Sequence, residues 1–191
     1  GGVGSDEISA GLGAGSLIAL GDNGKAQFAA GILRSIQTLD YSVGAGDLIV
    51  TSSGNNVVFG GAGGDDVRTG SGNDVIIGDN GNAVFGSLGY LETLQSSEPS
   101  VGGGDKLVTG AGDDVVIGGA LDDVIDATDG GDNRIIGDNG KILYQADTTN
   151  LMWMETIAPE VGSSDDIYAG DGQDIVIGGA DADRIELGGG N

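Results

Sequence analysis

Aspartate recurs along this 191-residue chain at intervals of nine, each time closing a glycine-rich turn. The clearest run lies between Val101 and Gly140, VGGGDKLVTGAGDDVVIGGALDDVIDATDGGDNRIIGDNG, where Asp105, Asp114 and Asp123 close three turns. Leu107, Val116 and Ile125 follow two places after them. The same register selects Asp47, Asn56, Asp65 and Asp74 upstream and Asp165, Asp174 and Asp183 downstream. Between these sets it falls on Asp132 or Asn133, where an extra residue blurs the spacing. Asp6 also fits, but the next expected carboxylate position is near Leu17, which offers no ligating side chain. A carboxylate per turn, surrounded by glycine, is the donor set of a hard divalent cation. Such an ion takes about six to eight oxygens, more than the carboxylates alone provide. Glycines, free to adopt positive φ, turn backbone carbonyls inward to supply the rest. An isolated aspartate of this kind would more simply hydrogen-bond its own turn. Constant spacing in a chain of net charge -23 favours metal instead.

The repeat has the form GGxGxDxUx, and from these residues the chain resembles the RTX, or haemolysin-type, calcium-binding nonapeptide repeats. The resemblance implies an all-β fold, a right-handed parallel β-roll in which two sheets form a solenoid and successive nonapeptides turn on opposite sides. Turns 18 residues apart would then stack, pairing Asp47 with Asp65, Asn56 with Asp74, Asp105 with Asp123, Asp114 with Asp132 and Asp165 with Asp183. Carbonyl-rich, flexible sites of high coordination number suit calcium better than magnesium. The expected metal-site residues are therefore Asp6, Asp47, Asn56, Asp65, Asp74, Asp105, Asp114, Asp123, Asp132, Asp165, Asp174 and Asp183, holding several calcium ions. The resemblance also implies folding on calcium binding and passage through type I secretion as an unfolded chain.

The elements that position these turns follow a longer period. GDNG begins at Gly21, Gly78 and Gly137, and a Val-Gly pair at Val43, Val101 and Val161, so the unit is roughly 58 residues. Residues 1–42 read as a partial unit, 43–100 and 101–160 as full units and 161–191 as another partial unit, all in one solenoid. Both ends cut through a repeat, as expected of an internal segment of a longer protein. After each GDNG the aspartate turns cease and alternating apolar runs begin. Phe28, Phe85 and Tyr144 hold equivalent places there, as do Ile36, Leu94 and Met154. Period-two alternation means strands, two per unit, forming either a third coil or a hairpin arm against the roll. Asn-Gly is a tight-turn signal, so GDNG reads as a structural corner; its aspartates Asp22, Asp79 and Asp138 are alternatively ligands of a terminal ion.

Only the eighth position of each nonapeptide should face the roll interior. Odd-numbered strands place Asp66, Arg68, Lys106, Asp126, Arg184 and Glu186 outward, but even-numbered strands place Val57, Phe59, Val75, Ile77, Val115, Ile117, Ile136, Ile175 and Ile177 there. A strand apolar on both faces is normally covered on both. The arms carrying Phe28, Phe85, Leu94, Tyr144 and Trp153 are one cover. The other is lateral or end-to-end homo-association through Val57, Phe59, Val75, Ile77, Val115, Ile117, Ile175 and Ile177.

Thirty acidic against seven basic residues leave no cationic footprint for nucleic acid, and no apolar run reaches bilayer length. There is no cysteine or histidine. Adjacent acids such as Asp65 and Asp66 point to opposite sides of a strand and cannot share a substrate, so catalysis is not expected. The expected function is an extracellular calcium-binding structural module of a secreted surface protein, adhesin, surface layer or filament. The alternative is a calcium-triggered folding and secretion module appended to a toxin or hydrolase. Ice binding would want threonine rows on the turns, and Ala62, Ser71, Ala111 and Ala120 do not supply them.

Overall fold

Short apolar triplets between glycine-rich turns leave no room for helix, and each triplet becomes a strand whose central residue alone points inward. The computed structural model describes residues 1–190 except Leu12 and Ala14, and among them the chain forms three sheets. The first sheet holds seven parallel strands: β1 (Glu7–Ser9), β5 (Leu48–Val50), β7 (Asp66–Arg68), β11 (Lys106–Val108), β13 (Val124–Ala127), β17 (Asp166–Ala169) and β19 (Arg184–Leu187). The second holds six, also parallel: β2 (Ile18–Leu20), β6 (Val57–Phe59), β8 (Val75–Ile77), β12 (Val115–Gly119), β14 (Arg134–Asp138) and β18 (Ile175–Ile177). The chain alternates between them, so each neighbouring pair within a sheet is one coil apart. This is the β-roll expected from the nonapeptides.

Pairing is in register, so like positions stack on like. Val67 of β7 lies between Ile49 of β5 and Leu107 of β11, and Ile76 of β8 between Val58 of β6 and Val116 of β12. The stacked central residues of the two sheets meet in one narrow core, with Ile49, Val67, Leu107, Ile125 and Ile167 facing Val58, Ile76, Val116 and Ile135. The outer face of the seven-stranded sheet is polar and carries the Asp66–Arg68 and Glu186–Arg184 ion pairs.

The third sheet is made by the segments that follow GDNG. Each is an antiparallel hairpin: β3 (Gly24–Ala29) with β4 (Ile32–Thr38), β9 (Gly81–Phe85) with β10 (Leu91–Ser96), and β15 (Gly140–Tyr144) with β16 (Leu151–Thr156). Neighbouring hairpins also pair, β4 with β9 and β10 with β15, and make one continuous six-stranded sheet. Of the two arrangements open to the arms, they adopt the hairpin. The hydroxyls of Thr38 and Ser96 accept hydrogen bonds from the Gly81 and Gly140 N–H groups and tie each arm to the start of the next.

This sheet lies over the outer face of the six-stranded one and encloses a second core. Val57, Phe59, Val75, Ile77, Ile117 and Ile136 pack there against Ile36, Ala83, Phe85, Leu94 and Ile142. The apolar face named as a surface for homo-association is therefore corrected. Val57, Phe59, Val75, Ile77 and Ile117 are buried under the chain's own arms and Val115 is largely covered; only at β18 is Ile175 exposed, with Ile177 half-buried beside it. Two aromatic residues expected to close that face do not. Phe28 stands exposed on the edge strand β3, and Trp153 alternates with Met154 so that Met154 turns inward and Trp153 outward.

Candidate metal centres

The two rows of turns differ. Turns entering the seven-stranded sheet, from the six-stranded sheet or from an arm, end in Asp6, Asp47, Asp65, Asp105, Asp123, Asp165 and Asp183, and these form one column. Each carboxylate accepts, through Oδ1, the backbone N–H of the preceding member: Asp47 N–H to Asp65 at 2.7 Å, Asp65 to Asp105 at 2.7 Å, Asp105 to Asp123 at 2.8 Å, Asp123 to Asp165 at 2.9 Å. The column continues from Asp6 to Asp47 and from Asp165 to Asp183. Spacing within it alternates between 18 residues, the pairs expected from the nonapeptide, and about 40, across an arm. Pairs such as Asp65 with Asp105 and Asp123 with Asp165 escaped the sequence reading, which paired only turns 18 residues apart. The signal was present in the constant length of the arm, which leaves and rejoins the roll at one coil's advance.

The second oxygen of these carboxylates has no protein partner. Oδ2 of Asp47, Asp65, Asp105, Asp123 and Asp165 is buried and receives no hydrogen bond. Each points to a glycine that could not bear a side chain. A Cβ on Gly60 would overlap Asp65 Oδ2 and the Gly78 carbonyl oxygen, one on Gly78 would overlap Asp105 Oδ2 and the Gly118 carbonyl, and one on Gly118 would overlap Asp123 Oδ2 and the Gly137 carbonyl. Gly21 and Gly137 repeat the pattern with Asp47 and Asp165. Five cradles of equal composition result, each with an orphaned carboxylate oxygen and a carbonyl oxygen facing one gap. Among the described residues no three acidic side chains converge, so an ion there must draw its remaining oxygens from the backbone, as a hard cation accepts.

Burial without counter-charge sets the electrostatics. Burial first, then the neighbouring Asp47, Asp79 and Asp22 charges, pushes Asp65 up to about 8. Burial followed by the charges of Asp165, Asp79 and Asp138 pushes Asp123 to about 10, and Asp105 stands well above the ordinary carboxylate range for the same reasons. Asp165 is raised to about 7, and Asp47 is raised as well. The two ion pairs found among the described residues both lie on the far face of the seven-stranded sheet. A column of buried acids with no cation between them is unfavourable as anions, and a divalent ion in the gaps removes that penalty.

The other row of turns is less acidic. Its column runs Leu17, Asn56, Asp74, Asp114, Asn133 and Asp174, with N–H groups of Leu17, Asn56, Asp74, Asp114 and Asn133 donating to the next side chain at 2.7 to 3.1 Å. Burial raises Asp74 and lifts Asp114 to about 7. Asn133, not Asp132, holds the fifth place in this column: Arg134 pairs with Val115, so the residue before each is aligned. Asp132 is displaced to the exposed rim, where its N–H donates to Asp113.

The GDNG aspartates clamp turns of the unit that follows, and Asp22 also keeps a buried Oδ1 without a hydrogen bond. Asp79 accepts the N–H of Gly103 at 2.8 Å and of Ala120 at 2.5 Å, so one carboxylate engages two successive turns of the following unit. Asp138 does the same with Ser163 and Ala180, and Asp22 accepts from Ala62. Asn80 and Asn139 complete each corner by donating to Tyr41 and Val101 and to Pro99 and Gly119 carbonyls. Burial lifts Asp79 to about 8 despite its two bonds.

A family model described as RTX calcium-binding nonapeptide repeat (4 copies) matches residues 42–76, 50–84, 101–133 and 161–191, more than half of the chain. No curated protein and no solved structure matches it.

Proposed function

The chain belongs to the RTX calcium-binding nonapeptide repeat family, and from that premise we propose that it is an extracellular structural module of a secreted surface protein, folded by calcium. The observation that carries this reading is the column of buried Oδ2 atoms of Asp47, Asp65, Asp105, Asp123 and Asp165, none with a protein donor. Calcium in the five gaps would bind one such oxygen and the facing glycine carbonyl in each. Asp6 and Asp183 continue the same column, and Asn56, Asp74, Asp114, Asn133 and Asp174 form a second, weaker set in which two carboxamides replace carboxylates. Asp132 takes no part. The ion supplies charge neutralisation and oxygen coordination; the chain supplies the stacked turns that space the donors.

The organisation we propose is a partial unit at 1–42, full units at 43–100 and 101–160 and a partial unit at 161–191 in one solenoid. Its role is spacing and display, with no catalysis. With a dissociation constant of about 0.1 mM per site, millimolar calcium contributes about 1.4 kcal/mol per ion. Several ions then decide whether the chain folds, which suits an extracellular medium and an unfolded state inside the cell. An array whose arms join into a continuous third sheet favours a long adhesin, layer or filament over a short secretion tag.

Far-ultraviolet circular dichroism through a calcium titration, with magnesium as control and light scattering in parallel, tests this. Cooperative gain of β signal with calcium alone is the expected result. Full β signal in excess chelator at neutral pH would refute calcium-dependent folding, and calcium-dependent folding without growth in scattering would move the assignment toward the secretion module.

A further inference from the structure

The arm sheet and the roll do not close on each other along the whole of their shared edge. Beside the second row of turns they leave an open groove of about 570 Å³ that runs across coils β2 to β14. We infer that this groove binds a neutral polysaccharide laid along the roll axis.

One rim is a ladder of exposed side chains. The N–H of Asn73 donates to Asn55 Oδ1 at 3.0 Å, that of Asp113 to Asn73 Oδ1 at 3.1 Å, that of Asp132 to Asp113 Oδ1 at 2.9 Å, and that of Gln173 to Asp132 Oδ1 at 2.9 Å. Each bond fixes one atom of a head group and presents the other: Nδ2 of Asn55 and Asn73, then Oδ2 of Asp113 and Asp132. Hydroxyl groups accept from the first pair and donate to the second. The step between coils, about 4.8 Å, is close to the advance of one pyranose unit in an extended chain. Partly exposed Val115 lies on the floor above buried Val57 and Val75, and exposed Tyr90 and half-buried Tyr144 stand on the arm side. This apolar and aromatic surface matches the C–H faces of sugar rings, while the rim sets orientation, the usual division of labour in a ligand groove.

Charge and topology narrow the occupant. The chain's net charge of -23 and the rim carboxylates of Asp113 and Asp132 oppose uronates, sulfated glycans and nucleic acids. The single guanidinium in the groove, Arg134, donates through Nη1 to the Asn133 and Gln173 carbonyls. An extended peptide would need an open strand edge for its main chain, but the roll's strands stack along the groove and pair with each other there. The ladder's extent over five coils suits a chain rather than a single sugar.

The inference rests on the calcium-folded roll, not on where the protein resides. The experiment uses the full chain in calcium, with β signal confirmed first, and cellohexaose as probe, read by calorimetry and by ¹H–¹⁵N spectra. Saturable binding with a dissociation constant of about 1 mM or below is expected, with shifts concentrated in the Asn55 and Asn73 carboxamides and the Tyr90 amide. Tyr90→Ala should weaken binding at least about fivefold without moving the calcium midpoint, Asp113→Ala should weaken it comparably in protein that retains its β signal, and Arg68→Ala on the opposite sheet should leave it unchanged. Absence of binding by cellohexaose, xylohexaose and mannohexaose to the folded chain overturns the proposal and leaves the calcium reading standing. Tighter binding of oligogalacturonate, or displacement of cellohexaose by a lysine-containing amphipathic peptide that binds more tightly, also overturns it. A chain that does not fold in calcium overturns both.

Discussion

A single methyl group at Gly78 would occupy the gap that the Asp105 carboxylate and the Gly118 carbonyl share. Gly78→Ala is therefore expected to raise the calcium midpoint and to cost about 1 to 3 kcal/mol of stability, the usual range for overpacking. Both are measurable by urea unfolding at fixed calcium. Gly2→Ala, where a Cβ meets nothing, provides the contrast. A second residue-scale test concerns the fifth member of the less acidic column. Asn133→Ala removes the acceptor for the Asp114 N–H, 3.1 Å away and buried, and should cost about 1 kcal/mol with a raised calcium midpoint, whereas Asp132→Asn on the exposed rim should leave the midpoint within about twofold. Equal effects from the two would return Asp132 to the column. Sequence spacing left Asp132 and Asn133 as alternatives because the turn after Asp126, Ala127 to Asn133, has seven residues where its neighbours have six. Strand pairing of Arg134 with Val115 settles which residue takes up the excess. The clamp made by Asp79 was legible only as a corner. Nothing in GDNG itself says that its carboxylate reaches Gly103 and Ala120, 24 and 41 residues ahead.

Among the elements, the arms have the largest consequence for stability. Leu94 and Ile36 are fully buried in the core between arm sheet and roll, and Leu94→Ala should lower stability by about 2 to 5 kcal/mol, the range for buried leucine truncation. Leu88 at a hairpin tip is exposed, so Leu88→Ala should stay within about 0.5 kcal/mol. Chemical denaturation at saturating calcium checks the pair. A small effect at Leu94 would mean that the arms only rest on the roll. Period-two alternation identified the arms as strands, and the twice-apolar β6, β8 and β12 called for a cover. What the alternation did not contain is the pairing of one arm with the next. That depends on the arm's return to the roll one coil further on, which brings β10 within hydrogen-bonding distance of β15. The same geometry removes most of the face that would otherwise have been free for association, because the coverage is built into every unit. Phe28 shows the limit of pattern reading: it alternates as Phe85 does, but β3 is the sheet's edge strand and is exposed along its length.

At the scale of the whole molecule, the roll is held together by apolar stacking and opposed by its own charge, and protons and calcium compete to relieve that opposition. Asp65 and Asp79 sit at about 8 and Asp114 and Asp165 at about 7 in the fold, against 3.8 for an unperturbed aspartate. A carboxylate whose folded value is raised binds more protons in the native than in the unfolded state. Its contribution is fully present below about pH 3.8 and is lost as pH rises through about 7 to 8. The chain in chelator should therefore gain β signal when acidified from about pH 8 toward 4, with protons standing where calcium would be. With calcium present the order reverses, because the ion requires the carboxylates to be ionised. Its midpoint should rise as pH falls below about 7, and binding near that pH should release protons, seen calorimetrically as a heat that varies with the ionisation enthalpy of the buffer. Diffuse repulsion across a surface of charge -23 predicts a different outcome, since about 1 M salt shortens the screening length to about 3 Å and would replace acid as a folding agent. Buried columns are screened far less. Folding in chelator by acid but not by salt thus assigns the opposition to the stacked aspartates, and folding by salt alone assigns it to the surface.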